Sequence, residues 1–480
     1  MGMDFSLLLP ELTVIAVVAV LAGLEMTLPS FSRRFSAFLN GGGLLLAAAS
    51  LLTLVGRSGT AFDGMFIADS FALFFKFLFL ATAASILVMK GNDSSLTKGA
   101  EFHLILWSLL LGMFFLVSSG DFLLFFISLE LLTLSLYVLT AYTRSDLLAI
   151  EAGLKYLILG SLASAFLLYG MSLIYLSTGT LSFEGIAMAA AKGEVSLTFL
   201  AGMLLILSAL GFKVAAVPFQ VWVPDVYQGA PTPVAAFLSV ASKSAGFAAL
   251  LRIFFGALGP LEGERRILFS LLASLTLLYG NLGALVQKNM KRLLGYSSIG
   301  HAGFLLIALS SAKELGGTSL LYYLIAYAFS NLTAFLVISI MEREEKSHEF
   351  ESYQGLSRRS PLLAAGMFMA LLSLAGVPPL AGFFAKFFIL LAAARSGLFW
   401  IVFLGAMNVA ISLYYYLNVV RIIYFEKGSR TASIAMNLPF LILLYGLMAG
   451  MVLVGVWQAP FFRAASLAAG NLLGYIISST

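Results

Sequence analysis

Lys213, Lys243 and Lys386 stand in stretches that are otherwise hydrocarbon. The first two lie in LGFKVAAVPFQVWVPDVYQGAPTPVAAFLSVASK and the third in SLAGVPPLAGFFAKFFIL. A charge at the centre of a bilayer costs roughly 2.5–3.5 kcal/mol on insertion scales, so an intramembrane lysine marks a functional site by default. An amine loses proton affinity on desolvation and regains it beside a carboxylate, which makes a buried lysine a switchable proton carrier. One carboxylate is placed to switch it. Glu130 lies nine residues past Asp121, about 13 Å along a helix and so near the middle of an apolar core about 30 Å thick. Thr133, Tyr137 and Thr140 follow on the same helical face. An approach or withdrawal of Glu130 from Lys213 would drive a proton toward Lys243, His301 and Lys386 through water.

The neighbours of these residues point the same way. Ser239, Ser242 and Gly246 surround Lys243, leaving room where water could enter. Pro218 and Pro224 interrupt the helix of Lys213, and Pro378 and Pro379 interrupt that of Lys386. A proline removes a backbone hydrogen bond and frees carbonyls, and non-helical backbone at membrane depth survives only when buried or lining a wet cavity. Wet, movable backbone is therefore expected across the Pro218–Pro233 break, and Pro378 marks a second break with Lys386 beyond it. His301, in GYSSIGHAGF, can titrate near neutral pH or serve as a satisfied core donor. Tyr327, Ser330 and Asn331 share a face of a later helix. Lys155 has Glu151 one turn earlier, the favourable order for an ion pair, so it reads as a structural pair or a relay. Asp225 turns the chain beyond Pro224. Arg252 is near a helix end and is expected to snorkel. Lys76, in FALFFKFLFL, has no partner in view, and the other acids, Glu11 and Asp69 among them, fall at or near span ends.

The elements that must position these groups follow from composition. The 480 residues are 61% hydrophobic and 11% charged, against about 25% charged in soluble chains. The fold class is an all-α polytopic membrane protein, with apolar runs for about 14 transmembrane helices, the first retained and not a cleaved signal. The two proline-interrupted spans lie five spans apart, which predicts two inverted five-helix repeats, each containing a broken helix. The expected divisions are residues 1–95, an N-terminal three-helix segment; 96–257, the first repeat; 258–432, the second repeat; and 433–480, a C-terminal helix and tail. Basic residues concentrate in loops after odd-numbered spans, among them Arg33, Arg34, Lys98, Lys288, Arg292, Arg358 and Arg430. The positive-inside rule then places those loops in the cytoplasm and both termini on the periplasmic side.

Much chemistry is excluded. The chain has no cysteine, so iron–sulfur clusters, disulfides and thiolate metal sites are ruled out. Its three histidines, His103, His301 and His348, have no metal-ligand spacing. No phosphate-loop or nucleophile pattern appears, so energy must come from a partner or an ion gradient. The rivals are a proton-translocating subunit of a redox-driven pump, a subunit of a multisubunit sodium/proton antiporter, and an ordinary solute transporter. The last would need anchoring groups for a solute, and only a row of titratable residues is visible.

The motifs FKVAAVPFQVWVPDVYQGAPTPVAAFLSVASK, KRLLGYSSIGHAGF and GVPPLAGFFAKFFIL resemble the antiporter-like subunits of respiratory complex I, the bacterial NADH–quinone oxidoreductase. That family is similar to subunits of multisubunit cation/proton antiporters. The resemblance runs from about the fourth span to the thirteenth. It implies two inverted five-helix repeats, sister antiporter-like subunits as partners, and residence in the bacterial cytoplasmic (inner) membrane. It also implies that flavin, iron–sulfur clusters, NADH and quinone are handled by partner subunits, with no cofactor in this chain. By the same resemblance Glu130 is the essential carboxylate of the fifth helix, Lys213 the lysine of the broken seventh, Lys243 that of the eighth and Lys386 that of the broken twelfth. Gln220 departs from the histidine of the family's VPFHLW and cannot relay a proton by titrating.

Overall fold

A computed structural model describes residues 4–27, 33–91, 96, 101–193, 195–259, 261–428 and 432–477. Lys98 and Arg430 of the loop-charge pattern, the division near residue 95, and the side chains of Arg33 and Arg34 lie outside the described residues. Apart from one short hairpin, pairing Gly59–Ala61 with Phe66–Ala68 in antiparallel register, the regular structure of the described residues is helical. Among the described residues, 11 helices are long and apolar enough to cross a membrane, and three shorter apolar ones span Ala37–Leu52, Glu101–Val117 and Pro361–Ala375.

The acidic residues at span ends have a local reason to be there. Asp69 accepts from Ala72 N at 2.7 Å, Asp121 from Leu124 N at 2.8 Å and Asp146 from Leu148 N at 2.9 Å. Each caps a helix N-terminus, where backbone donors lack intrahelical partners. Loops at one end of the bundle are knitted by backbone bonds, Ile67 N to Ser118 O and Gly120 N to Met65 O, both at 2.7 Å. At another, Met290 N donates to His348 O and Phe350 N to Lys288 O, both at 2.8 Å.

Burial is distributed very unevenly. Within an 18-residue apolar stretch of each helix, 100% of the residues are buried in Thr232–Ala257, 94% in Met290–Ser310 and 89% in Lys313–Glu345, against 33% in Leu147–Thr178 and in Phe399–Phe425. Three helices thus form the centre and the others wrap it. Between Met290–Ser310 and its neighbour Glu262–Leu285 the backbones nearly touch. A Cβ added at Gly280 would lie 2.8 Å from Gly300 Cα, the close approach that small residues permit between membrane helices.

Both interrupted helices are present. Leu197–Val214 ends on Ala215 at φ +66° and resumes as Trp222–Gly229; Pro361–Ala375 ends on Gly376 at φ +89° and resumes as Ala381–Arg395. Pro224 breaks nothing. It sits in the first turn of Trp222–Gly229, where its missing N–H would have no intrahelical partner anyway. The C-terminal region also differs from the expected tail. A long helix, Gln458–Ile477, follows Leu438–Val456 and packs against Lys313–Glu345 and Ser70–Lys90.

Candidate functional site

Each central helix contributes to one polar row. Lys243 Nζ donates to Ser298 O at 2.5 Å and also to Ser298 Oγ. Ser298 Oγ lies 3.2 Å from Tyr227 OH. The chain is π-wound on both sides of this lysine's helix, at Leu238–Ser242 and Arg252–Ala257. Such wide turns are concentrated at functional sites because each rotates the following side chains by one residue. Ser239, in the first of them, accepts from Asn331 Nδ2 at 2.9 Å.

His301 is held from both ring nitrogens, with Nδ1 2.5 Å from Tyr323 OH and Nε2 3.2 Å from Tyr416 OH. Tyr416 OH in turn pairs with Ser297 Oγ. The Tyr327 ring stands 5.0 Å from the imidazole, centroid to centroid. A cavity of about 10 Å³, lined by His301, Tyr323, Tyr327, Ser330, Ser373 and Lys386 among others, separates the histidine from the next lysine. That is the space one water centre occupies. Lys386 Nζ donates to Ala375 O at 2.9 Å, lies 3.5 Å from Ser412 Oγ and stands 5.0 Å from the centroid of the Phe304 ring. Its acceptor is a carbonyl of the last turn before the Gly376 break. Here the interrupted helix does supply a polar group to the row.

At Lys213 the arrangement differs. Its Nζ is buried without a hydrogen-bond partner among the described residues. The carbonyls near its break are closed by protein, not left for water. Gly211 O accepts from Ala216 N at 2.8 Å and Phe212 O from Trp222 Nε1 at 2.9 Å. Val217 N reaches Thr276 Oγ1 at 3.0 Å, and Pro218, exposed on the bundle surface, has no N–H to leave unpaired. The break at Pro218 thus turns the Gly211 and Phe212 carbonyls to protein donors and neither of them to Lys213. The room expected beside Lys243 at Gly246 is likewise occupied: a Cβ there would lie 2.8 Å from Val214 Cγ1 and 3.2 Å from Lys213 Cγ. Gly246 is small because the stem of Lys213 crosses it. Gln220 is buried, and its Oε1 has no hydrogen-bond partner among the described residues.

Glu130 accepts from Ser164 Oγ at 2.5 Å. Among the described residues no ion pair joins it to Lys213. The polar face following Glu130 is largely internal. Thr133 Oγ1 donates to Leu129 O at 2.9 Å and Thr140 Oγ1 to Leu136 O at 2.8 Å, the back-bonding by which helix hydroxyls satisfy themselves.

Lys155, Glu151 and Asp225 are not brought to the row. Lys155 Nζ lies 2.7 Å from Glu151 and 2.8 Å from Asp225, and Arg292 Nη1 reaches Asp225 at 2.7 Å. This partly exposed network borders a cavity of about 190 Å³ near the bundle surface. Two basic residues behave otherwise than expected. Lys76 has a partner, Glu11, at 2.5 Å, and both side chains are buried. Arg252 does not snorkel. It is 5% exposed, pairs with Asp69 at 2.6 Å and donates to Val117 O at 2.6 Å.

Several residues that hold these charged groups were not singled out from the sequence. Ser298 stands one helical turn before His301 in the same motif, so its spacing was a usable signal. Tyr323 and Tyr416 gave none, since aromatic residues are common throughout these helices. Ser164 and Glu11 meet their partners only because distant helices pack together.

An apolar multi-pass bundle, with two interrupted helices and lysines held at its centre by hydroxyls and carbonyls, defines a membrane protein of the ion-translocating class. The chain belongs to the NADH:quinone oxidoreductase/Mrp antiporter transmembrane family, whose model matches residues 119–412. It is 38% identical over 478 residues to NADH-quinone oxidoreductase subunit N of Desulforamulus reducens, covering 98% of this chain and 100% of that one. Among solved structures, a chain of respiratory complex I from Thermus thermophilus with bound aureothin matches with a TM-score of 0.82 at 34% identity, over 95% of this chain and 99% of that one. A chain of the Mrp complex from Dietzia sp. matches with a TM-score of 0.89 at 21% identity, over 98% of both chains, and shares the fold.

Proposed function

We propose that this chain is the N-type antiporter-like subunit of a bacterial NADH–quinone oxidoreductase, carrying protons across the membrane while redox chemistry proceeds in partner subunits. The observation that carries the reading is the central row itself. Lys243 on Ser298, His301 between two tyrosines, and Lys386 across a water-sized cavity are titratable groups joined by hydroxyls, the parts a proton relay needs. Relatives named subunit N, matched nearly end to end, support the same assignment over an Mrp-type antiporter, whose resemblance at 21% identity is one of fold.

In this reading the 11 long and three shorter apolar helices are the fourteen spans, and the interrupted helices ending at Val214 and Ala375 belong to two inverted five-helix repeats. Both termini lie on the periplasmic side of the cytoplasmic membrane. Glu130 and Lys213 form the switch, resting apart: Glu130 is held by Ser164, and Lys213 Nζ has no hydrogen-bond partner among the described residues. Their approach would restore a counter-ion to the lysine, and their parting would pass its proton to Lys243, then His301 and Lys386. Flavin, iron–sulfur clusters and quinone belong to partner subunits.

The test is proton translocation in vesicles carrying the assembled complex. Lys213→Ala and Glu130→Ala should each lower the protons moved per electron while NADH oxidation by an artificial acceptor persists. A wild-type stoichiometry in the double variant would rule the switch out.

A further inference from the structure

Three aromatic rings meet at the interruption beyond Lys213. Phe212 stands beside that lysine in the last turn of Leu197–Val214, and Trp222 opens Trp222–Gly229. Trp222 Nε1 donates to Phe212 O at 2.9 Å across the gap, and the two rings lie 5.3 Å apart, centroid to centroid. The last turn of a helix has no ladder beyond it to fix its placement, so this clasp is what joins the two halves beside the lysine. Tyr156, from Leu147–Thr178, stacks on both sides of it. Its ring is 4.6 Å from Trp222 at 21° and 5.9 Å from Phe212 at 25°. All three side chains are buried. The Tyr156 hydroxyl has no hydrogen-bond partner among the described residues, so its ring is what it brings to the clasp.

The helix of Tyr156 also holds Glu130. Tyr156, Gly160 and Ser164 recur every fourth residue and so form one stripe, which faces Phe122–Thr140. Ser164 Oγ donates to Glu130 at 2.5 Å. The Tyr137 hydroxyl rests on Gly160, where a Cβ would collide with it, and the Tyr137 ring meets Tyr156 edge-on, 4.9 Å away at 88°. One rigid helix thus grips both members of the switch, Glu130 through Ser164 and Lys213 through the ring on the break. The aromatic contacts run on to the next lysine. Trp222 meets Tyr227 at 6.3 Å, and Tyr227 OH lies 3.2 Å from the Ser298 hydroxyl that holds Lys243.

We propose that Tyr156 is a positioning residue for Lys213: its ring keeps the Phe212–Trp222 clasp shut and so fixes the lysine relative to Glu130, which the same helix holds. The role rests on the proton-translocating reading above and adds a residue to it. Tyr156 carries no proton itself. Without its ring the two halves part, Phe212 O loses Trp222, and the Lys213 amine leaves the place that Glu130 approaches.

The experiment measures protons translocated per NADH oxidised in vesicles bearing the assembled complex. Tyr156→Leu, which removes the stacking surface, should lower that ratio several-fold, with NADH oxidation by an artificial acceptor unchanged. Tyr156→Phe, which keeps the ring, should restore most of the loss. Ile174→Ala removes a buried side chain that packs the same two helices at Gly202, far from the clasp, and should pump as wild type does. In a Lys213→Ala background Tyr156→Leu should cost nothing further, because a residue that acts through Lys213 then has nothing to position. The role is overturned if Tyr156→Leu pumps normally, or if Tyr156→Phe or Ile174→Ala is as defective as Tyr156→Leu. It is also overturned if the losses of Tyr156→Leu and Lys213→Ala simply add. A Lys213→Ala complex that pumps normally removes the switch and this role with it, whereas the other failures leave the switch standing.

Discussion

Lys386 Nζ donates to Ala375 O at 2.9 Å, so a lysine on the second half of an interrupted helix is held by the last turn of the first half. The break and the charge explain each other. A continuous helix would commit nearby carbonyls to its own ladder, and an amine with no acceptor could not remain charged at this depth. Lys386→Ala should leave the carbonyl unpartnered and remove a station from the row. We expect proton pumping to fall roughly tenfold or more with the complex assembled, measured as translocation per NADH oxidised. Unchanged pumping would remove Lys386 from the relay.

The Glu130–Ser164 bond at 2.5 Å sets the resting place of the carboxylate. A hydrogen bond to a charged group contributes about 1.5–3 kcal/mol, so Ser164→Ala frees Glu130 to spend more time near Lys213. Pumping should drop, but less than in Glu130→Gln, which abolishes the charge. Equal losses in the two variants would mean that Ser164 acts only by packing.

Gly246 is crossed by the stem of Lys213, 3.2 Å from where a Cβ would stand. Gly246→Ala should displace Lys213 at a cost of about 1–3 kcal/mol, slowing pumping without dissociating the complex. Gly246→Val should do so more severely. A pumping rate insensitive to both would show that Lys213 need not keep this position.

The Glu11–Lys76 pair, 2.5 Å apart and shut from solvent, is a stability element by the same physics. Removing one partner strands a buried charge and costs about 3–5 kcal/mol, whereas replacing both with apolar residues is near neutral. Lys76→Met should lower the thermal stability of the complex, and Glu11→Leu combined with Lys76→Met should restore it. Two additive losses would show that the residues do not interact.

Much of this protein was legible in its sequence. Apolar runs set the membrane class, and the prolines at 218 and 378 marked both interruptions, because a missing N–H is a property of the residue itself. The lysines at 213, 243 and 386 were conspicuous since a charge in hydrocarbon is costly wherever its neighbours lie. Motif spacing carried the family. The C-terminal helix Gln458–Ile477 escaped notice because it is less apolar than the spans and its packing partners are far away in the sequence.

What only the tertiary structure decided is which charges meet. Periodicity along one helix reports which face a residue occupies but not what a second helix, dozens of residues away, presents to that face. So Arg252, legible as a residue near a helix end, found Asp69 in the interior, and Lys76 found Glu11. Gly246 made room for Lys213 instead of water, and the carbonyls near Pro218 were closed by Trp222 and a neighbouring N–H. The sequence determined that charges would be buried in this bundle; the packing of the three central helices determined which of them form a row and which are merely neutralised.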